Sequence, residues 1–176
     1  MNKNWYAVYT KAQCEKKVAS LLTKKKIENY CPLGRRIINT QNNRKKMVHE
    51  PLFPFFVFVH ITPAEMSFVK QTSSDVINFV YWLGKPAIIK SAEIENIDSV
   101  INSYYDVKLE KTVVNPNGTI HIQGEQGMDL NLGIISAEAT KIKITLPSLG
   151  YIMVTDSQKI ATESFNYGLE NTYAFV

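Results

Sequence analysis

The sequence predicts an α+β protein, a ferredoxin-like amino-terminal domain followed by a small SH3-like β-barrel. Three observations carry this. Strand-like and helix-like apolar periods alternate from Trp5 to Tyr105. A run of high apolarity, Glu50-Pro51-Leu52-Phe53-Pro54-Phe55-Phe56-Val57-Phe58-Val59-His60, is too short and too proline-punctuated for a helix and reads as a strand. Beyond Asn115-Pro116-Asn117-Gly118 the chain turns to short β-branched segments separated by glycine.

Taken in order, Trp5-Tyr6-Ala7-Val8-Tyr9-Thr10 is rich in strand formers, and Thr10 is placed to cap a helix. From Ala12 to Lys26 the apolar residues Cys14, Val18, Leu21 and Leu22 recur at helical spacing, which leaves a cationic outer face. Lys24, Lys25 and Lys26 complement the carboxyl end of the helix dipole; Lys11, Lys16 and Lys17 lie near the amino end, where the dipole disfavours them. A second strand is expected over Ile27–Leu33. Arg35-Arg36-Ile37-Ile38 and Lys45-Lys46-Met47-Val48 then flank Thr40-Gln41-Asn42-Asn43 as a hairpin whose turn residues tolerate positive φ. Its basic arms suit either a phosphate backbone or protection of a ribbon edge from aggregation.

Thr62-Pro63-Ala64-Glu65 opens a short helix that ends near Thr72-Ser73-Ser74, and Asp75–Trp82 is a further strand broken by Gly84 and Pro86. Ser91, Ile94, Ile97, Val100 and Ile101 mark a capped amphipathic helix ending near Tyr104. The order places helices on one face of an antiparallel sheet over residues 1–106, followed by a linker over 107–116. Strands at 119–122, 133–135, 141–146 and 151–154 make up the barrel over 117–156. Residues 157–176 form a tail too rich in Phe and Tyr for plain disorder.

Composition narrows the function. With 176 residues and 45% hydrophobic content, the chain can bury one good core and a smaller satellite. The longest apolar runs fall well short of a membrane span, and Met1–Trp5 lacks a signal sequence, so a cytoplasmic protein without membrane association is expected. Two cysteines without CxxC spacing read as core thiols, and three scattered histidines as structural, so neither a metal nor a cofactor is expected. The net charge of +4 is polarised: residues 1–49 hold twelve of the twenty Lys and Arg but only Glu15 and Glu28 of the acids. Such a basic half fits a polyanionic partner, or a solvated face that aids solubility. A nuclease would need clustered carboxylates, which this half lacks, so an enzyme is not expected.

In the apolar strand, Phe53, Phe55, Val57 and Val59 point one way, and Pro54, Phe56, Phe58 and His60 the other. One set fills a core. The other must be covered by the same domain or by a partner, and an apolar sheet face left bare marks a partner site.

Trp5–Thr10, the Pro51-Leu52-Phe53-Pro54-Phe55-Phe56-Val57-Phe58-Val59 strand and Val76-Ile77-Asn78-Phe79-Val80 resemble, in order and spacing, the amino-terminal (NGN) domain of the NusG family of transcription elongation factors. Leu146-Pro147-Ser148-Leu149-Gly150-Tyr151 resembles the last strand of the KOW-type barrel in specialised members, the RfaH-like and capsular polysaccharide locus antiterminators. The resemblance spans residues 5–155. It departs from the family at Gly124–Gly133, where only the glycines of the usual barrel loop remain.

The resemblance implies a monomeric, non-enzymatic factor that suppresses pausing and termination at selected operons. Phe53, Pro54, Phe56 and Phe58, extended by Trp82, would bind the coiled-coil clamp helices of RNA polymerase. Lys11, Gln13, Lys16 and Lys17, with Ser73 and Ser74 on the neighbouring loop, would face upstream or non-template DNA of the elongation complex, and Lys24 extends that basic face. The barrel would recruit a ribosomal protein or a termination factor. The alternatives are a general housekeeping NusG-type factor and a ferredoxin-like module that stacks single-stranded RNA on its sheet aromatics.

Overall fold

A computed structural model describes residues 2–42, 44–111, 113–114, 120–121, 134–138, 141–156 and 158–160. In chain order the elements are β1 (Asn4–Thr10), α1 (Glu15–Lys24), β2 (Asn29–Tyr30), β3 (Leu33–Asn39), β4 (Lys45–Pro51) and β5 (Phe56–Ile61). A 3-10 turn (Pro63–Glu65) leads into α2 (Met66–Gln71), followed by β6 (Val76–Phe79), β7 (Tyr81–Trp82), β8 (Lys85–Pro86), β9 (Ile88–Ile89) and α3 (Ser91–Ser103). The remaining strands are β10 (Lys108–Lys111), β11 (Val113–Val114), β12 (Ile120–His121), β13 (Ile134–Glu138), β14 (Lys141–Leu146) and β15 (Tyr151–Asp156). The described residues fall into two units, one of residues 2–32 and 53–91, the other within 33–52 and 92–160.

The first unit is built on an antiparallel sheet in the order β2-β5-β1-β6, with β9 also pairing with β1. The path β1-α1-β2 and then β5-α2-β6 is a split βαβ arrangement, as the alternating periods predict. Register places Tyr6 opposite Val59 and Val8 opposite both Val57 and Phe79. These β-branched and aromatic residues share one face and form the core with Val18 and Leu22 of α1 and Val69 of α2. Burying a side chain of this size contributes about 1.5–3 kcal/mol, so the stripe of α1 is held mainly by packing.

Helix α1 is shorter than the expected Ala12–Lys26. Thr10 does not cap it: this residue completes β1, its side chain is buried, and the N-cap position is Cys14. The chain spends residues 11–14 on a turn closed by the Cys14 N–H on the Lys11 carbonyl (3.1 Å), with Gln13 at φ 60°. At the other end the N–H groups of Lys26 and Ile27 bond to the carbonyls of Thr23 (2.8 Å) and Leu22 (3.0 Å). That is a Schellman closure, with Lys26 (φ 59°) where glycine is usual. The strand expected over 27–33 is only two residues long, because the Schellman turn consumes its start. The expected Thr62 cap is present as a capping box: the Thr62 N–H and hydroxyl donate to the Glu65 carboxylate at 2.8 and 2.9 Å. These bonds hold the Glu65 carboxyl below its usual range.

The second unit contains the expected hairpin as a two-stranded ribbon, β3–β4, running from Leu33 opposite Pro51 to Asn39 opposite Lys45. The Arg35 guanidinium donates to the carbonyls of Ile101 (2.9 Å) and Asn102, the orphan acceptors at the carboxyl end of α3. At the other end of α3, buried Glu93 accepts from the Ser148 hydroxyl (2.6 Å) and N–H (3.2 Å) in the turn between β14 and β15. Four strands form a sheet in the order β10-β15-β14-β13, with Ile144, Leu146, Ile152 and Met153 buried.

Residues 108–111, expected in a linker, form β10 and pair with 151–154, a distant partner that local periodicity does not reveal. The expected barrel strand at 119–122 appears as β12, paired with β11. Residues 115 and 116 of the expected linker, the expected barrel loop Gly124–Gly133 and the tail from 161 lie outside the described residues.

Candidate functional site

The apolar strand supplies the centre of the site, and its register decides which rings are accessible. Val57, Val59 and Ile61 turn to the helix-covered core. Phe56, Phe58 and His60 lie opposite Tyr9, Ala7 and Trp5, which places all six on the other face. That face is not bare at its centre. Phe58 is fully buried, Ala7 opposite it is buried, and Phe53 is buried with its ring edge-on to Phe58 at 5.3 Å. The expectation that Phe53 and Phe58 line an open surface is therefore corrected: alternation assigns a face but does not reveal whether that face is covered. His60 stacks on Trp5 at 4.9 Å and bonds to the Glu28 carboxylate at 2.8 Å.

The accessible aromatics lie at one end of this strand. Tyr9 (40% exposed) stacks at 4.6 Å on half-buried Phe56, with Pro54 and Phe55 (49%) exposed in the preceding turn. Phe55, expected in the core, is turned out because it adopts φ 71°, a left-handed conformation that costs a bulky residue about 1–2 kcal/mol. Two hydrogen bonds hold it there. The Phe55 N–H donates to the buried Glu15 carboxylate at 2.7 Å, and its carbonyl accepts the Thr10 N–H at 2.8 Å. Glu15 and Tyr9 were missed in the sequence; the signal for Tyr9 is its register opposite Phe56. Trp82 is on a separate ribbon, β7–β8, whose tip Leu83-Gly84 has positive φ at both residues. Trp82 (64%) and Leu83 (89%) are both exposed, and the Lys70 ammonium lies 5.9 Å from the Tyr81 ring.

Around the amino end of α1 the structure gathers part of the cationic set. Lys17 and Lys11 both reach Asp75, at 2.7 and 3.6 Å, and the Asp75 N–H donates to the Ser73 hydroxyl at 3.1 Å. The Lys17 hydrogen bond is the main cause of a carboxyl held below its usual range, with the charges of Lys17 and Lys11 adding to it against a burial effect of opposite sign. The same bond raises Lys17. Asp75 was missed, although it is the only acid between Glu65 and Glu93. Gln13, Lys16 and Ser74 are exposed in the same segments, whereas Lys24 is at the far end of α1, next to Lys25, which lies 5.1 Å from the Phe68 ring. Cys31 is half-buried, and this desolvation, with Glu15 adding to the effect, pushes its thiol up to about 11. Among the described residues no group of three or more His, Cys, Asp or Glu could hold a metal ion, and no helix is long and apolar enough to cross a membrane.

The split βαβ sheet and its aromatic strand fall within residues 3–98, which match the family model "NusG: Transcription termination factor nusG". The chain belongs to the NusG family. It is 32% identical over 109 residues, covering 55% of this chain, to the transcription termination/antitermination protein NusG of Bacillus subtilis (strain 168). The match spans 62% of that NusG's length. Among solved structures it resembles one titled "Domain interaction in Thermotoga maritima NusG", at 23% identity and TM-score 0.47, covering 89% of this chain and 93% of that one. A second likeness is to an MjSpt4:Spt5 complex, at 15% identity and TM-score 0.32, covering 89% of this chain and 94% of that one.

Proposed function

We propose that this NusG-family chain is a transcription elongation and antitermination factor that binds the clamp helices of RNA polymerase. The observation that carries the reading is exposed Tyr9, Pro54 and Phe55 beside half-buried Phe56, with Phe55 fixed by Glu15. A pair of helices presents apolar ridges, and a rigid aromatic cluster fits between them at low entropic cost. One or two such anchors each contribute about 2 kcal/mol or more to a protein interface. Lys11, Lys17 and Ser73, gathered at Asp75, would meet upstream or non-template DNA, supplying phosphate contacts that fix orientation. Holding the clamp on the template disfavours its opening, which lowers pausing and termination.

Capture of purified RNA polymerase by the tagged full chain tests this. Tyr9→Ala combined with Phe55→Asp should reduce capture tenfold or more while circular dichroism stays unchanged. Capture equal to the parent's would sink the proposal.

Action at selected operons, in the manner of RfaH-like factors, is supported by the Leu146–Tyr151 likeness and the degenerate Gly124–Gly133 loop. Chromatin profiling should place the protein at a few long operons. Association with polymerase at all genes would instead make it a general factor.

A further inference from the structure

Two strand edges of the second unit face each other across a groove. Strand β3 pairs only with β4, and β10 is the outer strand of its sheet, so among the described residues no strand covers the far edge of either. The two edges touch where the Asp106 N–H donates to the Arg35 carbonyl at 2.7 Å. Alternate residues of a strand turn their N–H and C=O to the same side, so the backbone groups of Ile37 face the same way as those of Arg35. Beside that contact lies a groove of about 530 Å³, with Gly34, Arg36 and Ile37 on one side and Lys108 and Leu109 on the other. Unpaired edges of this kind are templates for a further strand.

The lining narrows the occupant. A strand residue takes up about 160 Å³, from a rise of about 3.3 Å, a strand spacing of about 4.8 Å and a sheet separation of about 10 Å, so the groove holds about three residues of extended chain. Gly34 favours a backbone as the ligand. Nothing in the chain's own packing requires glycine there, since an added Cβ would stand in ordinary contact, 3.7 Å from the Leu52 side chain and 3.9 Å from the Glu50 carbonyl. Glycine within a strand often marks the close approach of another backbone. Both carboxylates of the groove are already paired, Glu50 with Arg36 at 3.8 Å and Asp106 with Lys159 at 3.0 Å. Lys108 is exposed and forms no ion pair with a described residue, which leaves one positive charge over, set among Ile37, Leu52 and Leu109. Glu110, on the same face of β10 as Lys108, does not line the groove.

We propose that this groove is a peptide-binding site, in which an extended segment of a partner protein, with an acidic residue between apolar ones, inserts as a strand between β3 and β10. Main-chain hydrogen bonds to both edges supply affinity, and the pairing of its carboxylate with Lys108 supplies selectivity. The site does not depend on the polymerase-binding reading and shares no residue with it.

The test is selection of a display library of random short peptides on the immobilised full chain, followed by fluorescence anisotropy of a synthesised, labelled member of the selected set. The selected peptides should lack proline and carry Asp or Glu between apolar residues. Lys108→Glu should shift the selection to Lys or Arg at that position, a change that loss of folding does not produce. Gly34→Ala, which adds one methyl to the groove wall, should weaken the peptide about tenfold and leave Tm at or above the parent's. Alternate N–H groups of an extended peptide serve opposite edges, so N-methylation of the odd residues or of the even ones should each weaken binding about tenfold or more. Tolerance of either N-methylated form would mean pairing with a single edge and would overturn the proposal, as would selection of the same acidic peptides by Lys108→Glu. Recovery of no such peptide would overturn it too, and dimerisation of the chain in that case would assign these edges to a second copy.

Discussion

The Glu15 carboxylate, at the start of α1, accepts a 2.7 Å hydrogen bond from the backbone N–H of Phe55, forty positions along the chain. A buried acid is thereby used to hold a phenylalanine in a backbone conformation it would otherwise avoid, with its ring outside the core. Removing either partner has different consequences, which makes the pair separable by experiment. Glu15→Ala leaves the part-buried Phe55 N–H without its charged acceptor and should cost about 1–3 kcal/mol in urea unfolding. Phe55→Gly relieves the left-handed strain, an effect of about 1–2 kcal/mol, against an unfolded-chain entropy cost of roughly 0.5–1 kcal/mol. Stability should therefore hold or rise while polymerase capture falls. A fall in stability on Phe55→Gly would mean that its ring packs as a core residue.

Phe58 and Phe56 are two residues apart on β5 and should respond oppositely. Phe58→Ala removes a fully buried ring and should cost about 3–5 kcal/mol, visible as a large drop in Tm. Phe56→Ala, which truncates a half-buried ring stacked on Tyr9, should cost less than half as much and mainly reduce capture. Similar losses of Tm for both would place the two rings in one core.

The Lys17–Asp75 pair gives a pH signature. Asp75 is depressed from 3.8, so its contribution is present above that value and is lost as pH falls through the still lower folded value. Lys17 is raised from 10.5, so its contribution is full below that value and is lost only as pH rises through the folded value. The Tm gap between the parent and Asp75→Asn should thus be flat from about pH 5 to 9 and close below about pH 4. A gap that changes between pH 5 and 8 would assign the titration to another group.

Cys31 should be a poor nucleophile. Its rise from 9.0 to about 11 lowers the thiolate fraction at pH 8 by roughly a hundredfold. Iodoacetamide labelling followed by mass spectrometry should leave Cys31 unmodified long after a free cysteine has reacted. Glu15→Gln should speed it, since that carboxylate contributes to the rise.

Much of this fold is legible in local patterns because those patterns are local in cause. Thr62 and Glu65 face each other across a single turn, and β3 and β4 are joined by a short polar loop, so the capping box and the ribbon can be read from spacing alone. The accessible part of the site cannot. Alternation put Phe58 and Phe56 together correctly, yet only the tertiary surroundings make the first a core residue and leave the second half open. Phe55 escaped the alternation entirely, because the strand begins one residue later and a positive φ reverses the direction of its ring. Asp75 and Glu15 were invisible as partners for a similar reason: each acts on groups 40 or more positions away in the chain.

The sharing of Asp75 by Lys11 and Lys17 also bears on the proposed approach to DNA. Two cations and one anion within a few ångströms present a field that falls off faster than that of three bare cations, and at about 0.1 M salt it is screened over roughly 10 Å. This end of α1 therefore adds little to long-range attraction and makes itself felt only at close contact. In the proposed complex with DNA its influence would fall on how long the docked state lasts, and on its orientation, more than on how often it forms.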